Sequence, residues 1–175
     1  MNYADIKQYD VANGPGVRVS LFVSGCSHRC EGCFNPETWD FEYGEAFTQQ
    51  TIQTILDYLQ PSYVKGLTLL GGDPMEPYNQ KALLPLLRKV KELYPQKDVW
   101  CFTGYDFERD IIQKWLGRPE TKEFLAYIDV LVDGEFILEQ KNVNLRFKGS
   151  ENQRTILVGE SLAQGKTILW DDKTD

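Results

Sequence analysis

A chain of 175 residues, 42% of them hydrophobic, is long enough to bury a core as one domain, which excludes a disordered chain. A formal charge of −7 excludes a basic nucleic-acid grip, and no apolar run approaches the ~20 residues of a membrane span. Four cysteines in a chain of this size exclude a small disulfide scaffold, and Met1-Asn2-Tyr3-Ala4-Asp5 lacks the regions of an export signal, so the expected location is the cytoplasm.

The first expected strand is Val17–Val23, where Val17, Val19, Leu21 and Val23 alternate with Arg18, Ser20 and Phe22, a period that suits one buried face. An irregular cysteine-bearing stretch follows, from Gly25 to about Pro36. Thr48 can cap a helix whose apolar stripe is Ile52, Ile55, Leu56 and Leu59, and Pro61 ends it. Leu67–Leu70 is a short strand running into Gly71-Gly72-Asp73-Pro74. A helix over 79–94 turns Leu83, Leu87, Val90 and Leu93 inward, with Pro85 expected to kink it or to mark its first turn. The run Arg88-Lys89-Val90-Lys91 reads as the solvated side of that helix.

Val99–Thr103 is the third strand. Ile111, Ile112, Trp115 and Leu116 line the next helix, which Gly117 can stop. Ile128–Val132 and Thr155–Val158 are further strands, with Thr167–Trp170 a late candidate. Strands alternating with helices imply a mostly parallel sheet with right-handed crossovers. The chain is too short for a closed eight-stranded barrel, which takes ~250 residues, so an open, partial β/α barrel of five or six mostly parallel strands is expected. Residues 1–170 form its single domain, and 171–175 a loose tail. Both informative loops, Gly25–Pro36 and Gly71–Pro74, follow strands and can face one crevice.

The motif Cys26-Ser27-His28-Arg29-Cys30-Glu31-Gly32-Cys33 places three thiols at short spacing in one loop. Electron-carrying [4Fe–4S] clusters use four cysteines, whereas three leave one iron open to a small molecule. Two other readings stay open: a Cys3His zinc site completed by His28, the only histidine, and a thioredoxin-like Cys30–Cys33 dithiol. Cys101, inside a strand, reads as a small hydrophobe, with a distant fourth ligand as its alternative.

The cysteine motif after the first strand resembles the radical S-adenosylmethionine superfamily. Within it, the chain resembles the glycyl-radical activating proteins of anaerobic ribonucleoside-triphosphate reductases. The similar segments run almost end to end: Asn13-Gly14-Pro15-Gly16-Val17-Arg18, Leu21-Phe22-Val23-Ser24-Gly25-Cys26, Gly32-Cys33-Phe34-Asn35, Gly71-Gly72-Asp73-Pro74, Thr103-Gly104-Tyr105, Val130-Leu131-Val132-Asp133-Gly134, and Gly149-Ser150 with Asn152-Gln153. Asp73 stands where many of the superfamily carry Glu, and Gly32 where an aromatic residue is common.

The resemblance implies an oxidoreductase in which Cys26, Cys30 and Cys33 hold a [4Fe–4S] cluster. S-adenosylmethionine chelates the open iron, with contacts from Gly32, Cys33, Phe34, Gly71, Gly72, Asp73 and Thr103. An external donor, a small flavodoxin-like protein, supplies an electron, the sulfonium is cleaved, and the resulting 5′-deoxyadenosyl radical takes hydrogen from a glycine in the large reductase subunit. The alternative within the superfamily is a small enzyme of the deazapurine-forming type. Without a Walker-type loop or dinucleotide fingerprint, the chain is not expected to bind nucleotide triphosphates itself. Arg18 is expected either in the crevice or on a half-buried strand surface. The turn at Asp133-Gly134 carries only a weak functional reading.

Overall fold

Alternating β-branched and leucine side chains make Val17–Val23 a strand, β2, and the sheet is laid out around it. The computed structural model describes residues 1–171, so most of the tail expected over 171–175 lies outside the described residues. Among the described residues, seven strands form one open sheet: β1 (Asn2–Asp10), β2, β3 (Glu45–Ala46), β4 (Val64–Gly71), β5 (Asp98–Phe102), β6 (Val130–Asp133) and β7 (Arg154–Leu157). Their spatial order is β3-β1-β2-β4-β5-β6-β7, and the two edges do not pair.

Four of the seven strands, β2, β4, β5 and β6, run parallel. Antiparallel strands extend both edges, β1 and β3 beside β2 and β7 beside β6. The expected count of five or six therefore becomes seven. The unexpected strands are β3, of two residues, and β1, whose polar alternation (Asp5, Lys7) suits a strand near the sheet edge more than a core one. The expected late strand over Thr167–Trp170 reduces to one bridge, Leu169 to Ile156.

Helices cover one face. In α1 (Gln49–Leu59), Thr48 accepts from the Thr51 N–H while the Thr51 hydroxyl accepts from the Thr48 N–H, closing a capping box. Next come α2 (Pro77–Leu93), α3 (Pro119–Tyr127) and α4 (Val158–Gln164). The helix expected around Ile111 is a π-helical segment, Phe107–Trp115, capped by Asp106. Both α3 and α4 escape a sequence reading, being short and weakly periodic. Pro85 sits inside α2 without ending it, and Leu93, expected inward, is 53% exposed on the last turn.

Two rows of side chains explain the sheet's faces. Leu21, Leu69, Cys101 and Leu131 are register neighbours and all belong to the core beneath the helices. Cys101 is therefore a core residue on the helix side, as its hydrophobic reading anticipates. The other row, Ser20, Thr68, Trp100 and Val130, faces the concave side and is also buried. β2 thus has two buried faces, not one.

Arg18 corrects both of its expected placements. It is fully buried, donating to Thr68 Oγ1 (2.8 Å), the Pro15 and Leu67 carbonyls (3.2 and 3.1 Å) and Asp98 Oδ1 (2.5 Å), with its guanidinium over the Trp100 ring. The turn Asn13–Gly16 wraps around it. A side chain at Gly14 (φ +135°) would meet the guanidinium at 2.8 Å. Among the described residues, no helix is long and apolar enough to cross a membrane.

Candidate metal centre

The strand ends β2 and β4 are laced together before either loop begins. Gly72 N donates to Val23 O (2.7 Å) and Asp73 N to Gly25 O (2.8 Å). A Cβ at Gly72 would stand 2.6 Å from Gly25 O, and one at Gly71 (φ +107°) would stand 2.7 Å from the backbone of Phe22 and Val23. The diglycine is thus required by strand packing before any ligand is considered. Asn79, fully buried at the start of α2, spans both loops by donating to Ser24 O (3.0 Å) and Asp73 O (2.9 Å).

On the other side of the cysteine loop, the 3-10 turn Pro36–Trp39 folds back. Gly25 N donates to Thr38 O (2.8 Å) and Cys26 N to Trp39 O (3.3 Å). Cys33 N closes a turn onto Cys30 O (3.1 Å). Arg29 takes a left-handed backbone (φ +52°), as does Gly32 (φ +73°).

Four strand ends meet at Ser27 and His28. Ser27 gives both its N–H (2.7 Å) and its hydroxyl (2.5 Å) to Glu76 Oε1, and its oxygen is 3.1 Å from the Tyr105 hydroxyl. His28 Nδ1 bonds Glu135 Oε1 (2.8 Å), while Nε2 lies at ion-pair distance, 3.2 Å, from Asp73 Oδ2 but out of line for a hydrogen bond. Burial opposes a charge on the ring, but Asp73 and Glu135 prevail and raise its pKa to about 9. With a carboxylate at each ring nitrogen, His28 is not placed to complete a zinc site with the thiols.

Asp73, 1% exposed, uses its whole carboxylate on the protein. Oδ1 accepts from Met75 N (2.8 Å), and Oδ2 accepts from Thr103 Oγ1 and Gly104 N (2.9 Å each). Asp73 and Thr103, both expected to touch a cofactor, therefore bond first to each other.

The thiols of Cys26, Cys30 and Cys33 border one cleft of about 420 Å³ at the strand ends, together with Phe34, Gly71, Gly72, Asp73 and Thr103. Phe22, Leu70 and Phe102 give it an apolar floor. Gly32 is the expected site residue that the cleft does not include; Leu138 packs against it. Burial, reinforced by the charge of Asp73, pushes the Cys26 thiol up to about 12, and burial also raises Cys30. Cys26 therefore keeps its proton at neutral pH until metal ligation displaces it.

A [4Fe–4S] group fits this donor set, since the ligands are soft thiolates from one loop and Cys101 lies on the opposite face of the sheet. Among the described residues, the only three potential ligand atoms within 4.8 Å of one another belong to Asp106, Glu108 and Asp133. The three thiols thus do not all lie within 4.8 Å of one another, whereas zinc–sulfur bonds of about 2.3 Å would hold them roughly 3.8 Å apart.

Segment 149–153, similar to the family but unexplained by its sequence, is a staple. Gln153 Oε1 accepts from Gly149 N and Ser150 N, and its Nε2 donates to Gly134 O. It fixes the loop that carries Phe136 against Phe34 at the cleft mouth. Glu76 and Asn79 escape a sequence reading, although a polar Asn on the buried side of an amphipathic pattern was an available signal.

Comparison with known proteins places these features in context. A family model described as "4Fe-4S single cluster domain" matches residues 12–156. Curated relatives named "Anaerobic ribonucleoside-triphosphate reductase-activating protein" include one from Enterobacteria phage T4, 45% identical over 88% of this chain and 92% of that protein. One from Vibrio cholerae serotype O1 is 47% identical over 87% of this chain and 96% of its own length. One from Escherichia coli K12 is 38% identical over the same shares, 87% and 96%.

Proposed function

Because the chain belongs to the family of anaerobic ribonucleoside-triphosphate reductase-activating proteins, we propose that it is a radical S-adenosylmethionine activase that installs a glycyl radical on such a reductase. The observation that carries this reading is the convergence of Cys26, Cys30 and Cys33 on one cleft at the ends of parallel strands, with Cys101 turned away. In this reading residues 1–170 work as one partial barrel of the radical S-adenosylmethionine type.

Cys26, Cys30 and Cys33 would hold a [4Fe–4S] cluster, which with S-adenosylmethionine supplies one-electron C–S cleavage and hydrogen abstraction from a glycine Cα. The chain's own residues prepare the place. Backbone of Gly71 and Gly72 faces the cleft beside the thiols, with no side chain to hold a ligand off. Asp73 orients rather than binds: through Thr103, Gly104 and His28 it sets the β4 and β5 loops against the cysteine loop. Phe34 and Phe136 give the mouth an apolar wall that excludes water. The open seam of the sheet leaves room for a partner's glycine loop, and the electron comes from an external flavodoxin-like donor.

The test mixes anaerobically reconstituted protein with the reductase, S-adenosylmethionine and a reductant, and looks by electron paramagnetic resonance for a glycyl doublet. Serine at Cys26, Cys30 or Cys33 should each abolish cofactor cleavage and the doublet, while Cys101→Ser retains both. Efficient turnover of a small molecule with no doublet would replace this reading.

A further inference from the structure

Three buried side-chain polar atoms lack a hydrogen-bond partner among the described residues: His28 Nε2, Trp39 Nε1 and Asn79 Oδ1. All three surround the cysteine loop. Two have an evident account. His28 Nε2 faces Asp73 at 3.2 Å, and the Asn79 amide is oriented by the carbonyls that its nitrogen serves. Trp39 Nε1 has neither.

A sealed N–H without an acceptor costs about 1–3 kcal/mol, so native proteins seldom leave one. Trp39 is held against the loop by its own carbonyl, which accepts from Cys26 N at 3.3 Å. Its side chain borders the cleft together with Cys26 and Cys33, and also the shallow groove behind the loop, where Cys26 and Arg29 are its neighbours. Because solvent does not reach the indole nitrogen, its acceptor must come from the loop itself. The acceptors that loop offers once iron is bound are the sulfurs of Cys26, Cys30 and Cys33, which border the same cleft as Trp39.

We propose that Trp39 is a positioning residue that donates its indole N–H to a cysteine sulfur of the iron-loaded loop and so favours the reduced cluster. Hydrogen bonds to cluster sulfurs raise reduction potentials by stabilising the more negative state. This inference rests on the iron–sulfur reading above.

The test compares parent protein with Trp39→Phe, which removes the N–H and keeps an aromatic ring, both reconstituted anaerobically. Equal iron content with a more negative midpoint potential in Trp39→Phe is the expected result, with the reduced-to-oxidised ratio at fixed potential falling roughly tenfold. Should the variant not fold, parent protein labelled with [indole-15N]tryptophan answers alone, through a nitrogen hyperfine coupling to the reduced cluster. Equal potentials, or no such coupling, would leave Trp39 a packing residue and overturn the proposal. Failure of the parent protein to take up iron would instead remove the iron–sulfur reading beneath it, a distinguishable result.

Discussion

Asp73 draws together groups that are far apart in sequence: Met75 beside it, His28 before it, and Thr103 and Gly104 some thirty residues on. Its removal strands several buried donors at once. Asp73→Ala should therefore cost the iron-free protein about 3 kcal/mol in urea unfolding. A loss below roughly 0.5 kcal/mol would mean the loops hold without it. Gly104→Ala probes the same junction, because its Cβ would meet the His28 ring at 2.7 Å. The cysteines were legible in the sequence because their chemistry is local, three thiols within one loop. The work of Asp73 was not, because nothing near it in the chain names its partners. The resemblance assigned Asp73 to the cofactor, whereas the geometry gives its oxygens to the protein.

The end of β6 is held by a clamp that ties three elements. Arg154, at the start of β7, donates to both oxygens of Asp133 (3.0 and 2.5 Å) and of Glu108 (3.0 and 2.6 Å) in the π-helical segment. Asp106, Glu108 and Asp133 could be mistaken for a cation site, but the guanidinium already fills it. The bond from Arg154, aided by Thr167, lowers the Glu108 carboxyl from 4.5 to about 2 despite some burial. A depressed carboxyl contributes stability that is complete above 4.5 and lost as pH falls toward 2. The side chain is 43% exposed, so solvent screening cuts the linkage to about 1 kcal/mol. The stability gap between parent and Glu108→Gln, followed by denaturant unfolding, should be constant above pH ~5 and close on acidification. A gap that persists unchanged at pH 3 would show that the ion pair is not its source. β2 was legible from its alternation, and β4, β5 and β6 as short apolar runs. The antiparallel course of β7 was not, since direction depends on the long loop between Asp133 and Arg154 folding back over the sheet.

Across the whole molecule, the concave side is closed at its lower end by a buried cation. Arg18 joins β2, the turn at Pro15, β4 and Asp98 of β5, and it lies over Trp100. Truncating it to Ala should cost 3–5 kcal/mol or so, because Asp98 and three buried acceptors lose their donor. Thermal unfolding indistinguishable from the parent would refute that role. The same two-sided burial divides the cysteines. Cys101 is sealed between the sheet and its helices, while the other three border the open cleft. An iron-free sample therefore contains its own clock for cooperative opening. A maleimide should tag the three cleft sulfurs first, Cys26 and Cys30 slowed by their raised thiol pKa, and the fourth only at the rate at which the entire structure comes apart.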